Sequence, residues 1–502
     1  MFLWIAFGLL VLIIFQSYIL KWQKGRSISH LPTYPYLPVF GTMYKLLGGT
    51  NALHYEVMVV SEIMDETNLP FIYWAGSNPI IIIHDPDDLK LVTNAFIEKP
   101  SLYNFAKVWL GESVATTTGR EWKHDVKGFT KALNRKSVKN YQDVFNTQAK
   151  KLVNKLKSGE SSNNIFSELA YTTFEAICKI CTGDSEIPDL IPIQEYHEAI
   201  SSVLEGVIAR MTNVLYHPEF LFQRTQTYRD LKKNTAVLHN VSRKLLERYK
   251  QNQLAEIYEK NENRDGKATR AKYKPFLSHF MDIGLSDERI KSEIDILIFA
   301  QDPVATALLM TFIIIGARQD IQDKLYNEMK GIFGDSKRDV VNEDMEKMVY
   351  CEGVIRETLR LYPPGPMALR KIDEEFKIPS CTIPKDTICL INIWGSGRSK
   401  RLWGPDVLEF KPERWADPDS LPPILAFSSG KRGCVGEKYA HPMLKTLIAH
   451  AVRELTFAAD LTKIKIRANM VLKVYAGLET LKMSKREATE STREKEITKE
   501  ID

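Results

Sequence analysis

The segment Phe427 Ser428 Ser429 Gly430 Lys431 Arg432 Gly433 Cys434 Val435 Gly436 constrains the fold of this chain more than any other. A glycine-studded loop hands one cysteine to the start of a helical run from Glu437 to Leu455. There the helix dipole and the unpaired backbone N–H groups favour an anion, so the sulfur is poised as a thiolate. The six cysteines are scattered through 502 residues and suggest no disulfide framework. Cys178 and Cys181 have metal-pair spacing without a second pair, and they lie in a run of helical character where a structural role is expected. His217 and His239 have no partner spacing for a metal and read as capping or packing residues.

A thiolate held by backbone donors suits a metal with one open axial position, and haem iron with a single cysteine ligand is the main biological case. In that reading Phe427 shields the sulfur, and Gly430 and Gly436 permit close backbone approach or a positive φ. Arg432 reaches a haem propionate, which a guanidinium can bind bidentately. Glu357 and Arg360 stand one helical turn apart in Cys351 to Leu361 and so face each other. Arg414 lies in Phe410 Lys411 Pro412 Glu413 Arg414 Trp415, ahead of the cysteine loop. These residues match the signatures F-x-x-G-x-R-x-C-x-G, E-x-x-R and P-E-R-x. The chain thus resembles the microsomal cytochromes P450, and the segments Tyr216 His217 Pro218 and Leu238 His239 Asn240 resemble the animal and insect branch that includes fatty-acid omega-hydroxylases.

The resemblance implies haem b (iron-protoporphyrin IX) with Cys434 as the axial ligand of the iron. It implies a buried network of Glu357, Arg360 and Arg414 that pins the loop before the cysteine. Arg370, just beyond Pro363 Pro364 Gly365 Pro366, is a further propionate ligand, and Met367 to Leu369 line the pocket. Trp122 stands near a propionate in the family, with an arginine four residues later; here that position is Val126. Lys123 and Lys127 are then the substitutes, and a plain packing role for Trp122 is the alternative.

The implied fold is mainly α with a small β region (α+β), a single large haem domain over residues 42–483. At its centre, Ser286 Asp287 Glu288 open a long helix to about Arg318 that is apolar nearly all round after Asp295, as a helix in the middle of a large core should be. In the family this helix carries a glycine, an acid and a threonine over the haem. Here the residues are Ala300 Gln301 Asp302 Pro303 Val304 Ala305. Pro303 should kink the helix, because it lacks an N–H and collides with the carbonyl of Phe299. Val304 has no hydroxyl, Gln301 is expected to crowd the oxygen space or orient a water, and Asp302 is the second proton-relay candidate. Thr306 should point elsewhere.

Around this centre, Phe71 to Ala75 and Pro79 to His84 read as a hairpin, and Asp85 with Pro86 opens a helix. Glu121 to Leu133 reads as a helix, Leu102 to Thr118 as a long loop, and Gln251 to Lys274 as a solvated connection. By resemblance, the loop borders the substrate pocket and a turn near Ala476 Gly477 dips into it.

Phe2 to Leu20 is apolar except for Gln16 and Ser17, and Lys21, Lys24 and Arg26 follow it. Residues 1–21 therefore read as an uncleaved transmembrane signal anchor with the body on the cytosolic side. Residues 22–41 form a basic, proline-rich hinge, and residues 484–502 a charged tail predicted to be disordered. The resemblance adds an endoplasmic reticulum membrane.

The implied activity is a membrane-bound haem-thiolate monooxygenase that oxidises a lipophilic small molecule: fatty-acid-like, hormone, odorant or xenobiotic. It uses O2 and electrons from NADPH-cytochrome P450 reductase, with cytochrome b5 as a second donor; no nucleic acid enters. Lys431, Lys438 and Lys445, with Arg120, Lys123 and Lys127 on the neighbouring helix, are expected to steer an acidic reductase. Pro303 and Val304 keep two other functions open: an isomerase or dehydratase of a lipid hydroperoxide, and a degenerate haem-binding carrier.

Overall fold

Apolar residues recur at helical spacing through most of the chain, and in a computed structural model that describes residues 2–158, 165–184, 191–261 and 273–487 they form a helical body with small sheets. The largest sheet has the order Phe71–Ala75, Asn78–Ile83, Thr387–Asn392, Met367–Ile372. The first two strands form the expected hairpin, with Phe71 opposite Ile82. Asn78–Ile83 runs parallel to Thr387–Asn392, and its isoleucine run suits a strand covered on both faces. Met367–Ile372 closes the edge with Arg370 opposite Cys389, and its first three residues, Met367, Ala368 and Leu369, line the cavity described below.

The central helix comes in two segments, Asp287–Phe299 and Gln301–Ala317. Ser286 caps the first by accepting the Arg289 N–H. The apolar window of this helix is 83% buried, so its length and hydropathy reflect a core position and not a membrane span. The interruption at Ala300 lies where Pro303 removes the donor that the Phe299 carbonyl would have received. Behind it pack the helices Ile165–Thr182, Val349–Leu361 and Glu437–Glu454, the last beginning at the cysteine loop. Cys178 and Cys181 are buried in the first of these, and no metal-holding cluster occurs among the described residues.

Several elements differ from those expected. Leu102 to Thr118 is not one open loop: it holds a 3-10 turn, Ser101–Ala106, and a short helix, Lys107–Leu110. The helix Gln226–Asn261 continues past Gln251 into the charged stretch expected to be a connection, and ahead of that stretch the exposed pair Arg243–Glu247 (2.8 Å) supports the same helix. The rest of that stretch, through residue 272, lies outside the described residues, and of the tail expected from 484 the described part is not disordered: Ser484 and Lys485 pair with Thr456 and Leu455 in a strand, while residues 488–502 lie outside the described residues. The turn at Gly477 folds back on Lys463 and does not line the cavity; Asn469, Met470 and Val471 do.

The N-terminal helix Phe2–Gly25 leaves its apolar side chains open, with Trp4 78% and Phe15 63% exposed. Its last turns dock on the body: Ser17 accepts the Val39 N–H at 3.0 Å, and the Lys21 ammonium lies 4.5 Å from the Tyr36 ring.

Candidate active site

The cysteine loop is tied by its own backbone. Cys434 N–H donates to Phe427 O (2.8 Å), Gly433 N–H to Gly430 O (3.0 Å), and Gly436 N–H points at Cys434 Sγ (3.3 Å). Gly430 has φ +72°, and a Cβ there would lie 2.3 Å from Thr93 O, so both of its predicted reasons hold. Gly436 has φ −83° and room for a Cβ 3.5 Å from Sγ, which corrects the expectation of strain there. Of the six cysteines only Cys434 is open, and it opens into a cavity of about 360 Å³. The protein enclosing its other sides raises the thiol pKa, while the N–H groups of Gly436 and Glu437 pull it down. Phe427 lines the same cavity and lies against His441, ring centroids 5.4 Å apart.

Three cations converge beside the loop. Arg432 is buried, donates through Nη2 to the carbonyls of Val114 and Thr117, and rests on Trp122 with its guanidinium 4.5 Å from the ring centroid. Arg370 is buried and donates through Nη2 to Arg432 O (3.2 Å) and Ser428 Oγ (3.4 Å). Lys99 donates to Ala115 O (2.8 Å) and lines the cavity. Burial and the two arginines hold the Lys99 pKa well below the ordinary value, and burial with the Arg370 charge lowers Arg432 to about 10. Glu98 is near, but its carboxylate accepts the Gly119 N–H at 3.1 Å. Arg370 Nε and Arg432 Nη1 are buried donors without a partner. Crowded cations with orphaned donors are the complement of an anion, and the propionates of a haem ligated by Cys434 fit them.

Trp122 therefore supports Arg432, and the third cation is Lys99 instead of the expected Lys123, which is exposed. Only a lone lysine between Glu98 and Pro100 marked it in the sequence, with no motif around it.

Behind the loop, Arg360 forks onto Glu357 at 2.8 and 2.6 Å, both side chains fully buried. Arg360 Nη1 also donates to Gly397 O (2.6 Å) and Val407 O (2.7 Å). Glu357 accepts the Lys411 N–H (3.1 Å) and the Trp415 indole N–H (3.0 Å), and Arg414 Nε lies 3.5 Å away. Gly353 brings this helix against the Pro412 segment, since a Cβ would meet Pro412 O at 2.6 Å.

The opposite wall is apolar. The central helix contributes Ile296, Phe299, Pro303, Val304 and Ala307 to the cavity. Gln301, expected to crowd the oxygen space, is buried elsewhere: its Nε2 donates to Leu297 O (3.1 Å), occupying a carbonyl of the interrupted turn. Asp302 is also buried away from the lining, with Oδ1 unpaired and its pKa pushed up to about 7 by burial, against an opposing effect of Lys473. Thr306 turns its hydroxyl toward Leu472 O (3.5 Å). The sequence placed Gln301 and Asp302 by register, and register does not say which neighbour a side chain meets.

On the outer face Lys431, Lys438, Arg120, Lys123 and Lys127 are exposed. Lys445 is not part of a free cluster, because it pairs with Glu352 at 3.1 Å.

The Cytochrome P450 family profile matches residues 32–477. Cytochrome P450 4V2 of Rattus norvegicus is 27% identical over 459 residues, 87% of this chain and 86% of that protein. Probable cytochrome P450 312a1 of Drosophila melanogaster is 27% identical over 502 residues, 94% of this chain and 97% of its own length. Cytochrome P450 4d1 of Drosophila simulans is 28% identical over 460 residues, covering 86% of this chain and 89% of itself. Haem is the cofactor of the family, and the thiol, the cations and the buried network lie where such a group needs them. The chain is a member of the cytochrome P450 family.

Proposed function

We propose that this protein is a membrane-bound monooxygenase that inserts one oxygen atom of O2 into a lipophilic small molecule, with electrons from NADPH-cytochrome P450 reductase. The carrying observation is the cavity of about 360 Å³ into which Cys434 opens, with cations at one edge and apolar walls elsewhere. Haem bound there supplies dioxygen activation, with Cys434 as its sulfur ligand. The chain's own residues do the rest. Arg432, Arg370 and Lys99 hold the propionates; Phe427 covers the sulfur; the Gly436 N–H disperses its charge. Met367, Met470, Ile208 and Phe299 exclude water and select an apolar substrate. The open apolar helix Phe2–Gly25, with Lys21, Lys24 and Arg26 after its apolar run, supports a single-pass anchor in the endoplasmic reticulum membrane and a cytosolic body. The exposed Lys431 and Lys438 support steering of an acidic reductase.

One observation favours a second reading. No side chain of the central helix that lines the cavity can give a proton, which suits rearrangement or dehydration of a lipid hydroperoxide, a substrate that carries its own O–O bond. An untargeted product profile of microsomes expressing the chain separates the two. Products that require NADPH, reductase and O2 together support the monooxygenase; hydroperoxide turnover without any of them supports the isomerase. A ligand returned unchanged under both conditions leaves only a haem-binding carrier.

A further inference from the structure

Glu293 takes no part in the functional reading above, yet it is fully buried on the first segment of the central helix. Both of its carboxylate oxygens accept the Val114 N–H, at 2.9 and 3.1 Å. Val114 belongs to the turn of residues 111–118, and the carbonyls of this turn organise the cation cradle. Val114 O and Thr117 O accept from Arg432, and Ala115 O accepts from Lys99 at 2.8 Å. The turn is stiffened from within, by Thr116 Oγ1 on Gly111 O (2.7 Å) and Thr117 Oγ1 on Ser113 O (2.8 Å). It also seats tightly on the central helix: Gly111 has φ +49°, and a Cβ there would lie 2.3 Å from Ser292 Oγ.

A buried carboxylate is an unfavourable choice for packing alone. Burial raises Glu293 to about 8; the Val114 N–H opposes that shift, Asp125 adds to it and Arg289 opposes it. Arg289 is itself committed to Asp125, so the acid is matched chiefly by one backbone donor. We propose that Glu293 is a positioning residue: it pins Val114 to the central helix, and the carbonyls of the pinned turn aim Arg432 and Lys99 at the carboxylates of the cofactor. This rests on the family's haem and is independent of which substrate is oxidised.

The test is the rate at which the full-length, haem-loaded protein gives up haem to excess apomyoglobin, which needs no turnover. Removing this buried acceptor, Glu293→Leu should speed release about tenfold, whereas Glu293→Gln, whose neutral amide oxygen can still accept the Val114 N–H, should stay close to native. In an Arg432→Met background, Glu293→Leu should add less than about twofold, because one route is then lost only once. Multiplying effects in that cycle, or native release from Glu293→Leu, overturns the proposal. If Glu293→Leu yields no folded holoprotein, Glu293→Gln decides: release as slow as native supports the proposal, and release as fast as Arg432→Met overturns it.

Discussion

On the Cys434 side of the cavity, Glu357 alone receives Arg360, the Lys411 N–H and the Trp415 indole, while Arg432 and Arg370 keep unpaired donors beside the sulfur. Across the cavity the central helix offers Pro303, Val304 and Ala307, and its polar residues turn away: Gln301 to Leu297 O and Thr306 toward Leu472 O. The first wall is specified by many mutually dependent polar contacts, and the second is specified by shape. Polar side chains that can hold a cofactor are thus gathered on the first wall, while the central helix brings no polar side chain to the second.

The largest effect that can break the comparison is loss of the sulfur. Cys434→Ser should abolish the long-wavelength Soret band of the reduced, carbon monoxide-treated protein, while Cys178→Ser leaves it intact. A normal band from Cys434→Ser would remove the ligand assignment. Next is the buried network: Glu357→Ala leaves Arg360 charged in the core without its carboxylate, only backbone carbonyls still accepting from it, a loss of roughly 3–5 kcal/mol. Thermal unfolding of the holoprotein should show it, and an unchanged Tm would mean that the cysteine wall is not held from behind.

Reversing Lys431 and Lys438 to Glu should slow reductase-to-haem electron transfer roughly tenfold at low salt, with the gap closing as salt rises. A rate that ignores both charge and salt would locate the reductase elsewhere. The smallest effect concerns Asp302. Its folded pKa of about 7 lies above the usual carboxylate value, so the unfolded chain releases this proton first. Its contribution to stability is therefore fullest in acid, declines as pH rises toward about 7, and is level beyond that. Asp302→Asn should raise the Tm at pH 8 and leave it near native at the acid end of the range where the protein stays folded. Equal effects at both ends would place Asp302 in a solvated setting.

The same contrast explains what the sequence could convey. The cysteine loop, the Glu357–Arg360 pair, the hairpin and the helix break at Ala300 ahead of Pro303 depend on local spacing, helical period and the chemistry of proline, all of which can be read along the chain. Lys99, Glu293 and the Asn469–Val471 segment owe their roles to contacts between distant parts of the chain, and no local pattern marks them. Gln301 shows the limit of register: its position in the helix was readable, but its orientation was set by a carbonyl that the break left available.

The central claim is tested most directly by stoichiometry: NADPH consumed, hydrogen peroxide released and substrate oxidised, measured together in the reconstituted protein with the best substrate from the microsomal profile. With no proton-donating side chain on the central helix facing the cavity, most NADPH should appear as hydrogen peroxide, since positioned proton delivery is typically worth ~10² to 10⁴-fold. Val304→Thr together with Pro303→Asp should move electrons toward product, and Val304→Thr alone should not. Tight coupling in the native protein, unchanged by the double substitution, would contradict the account.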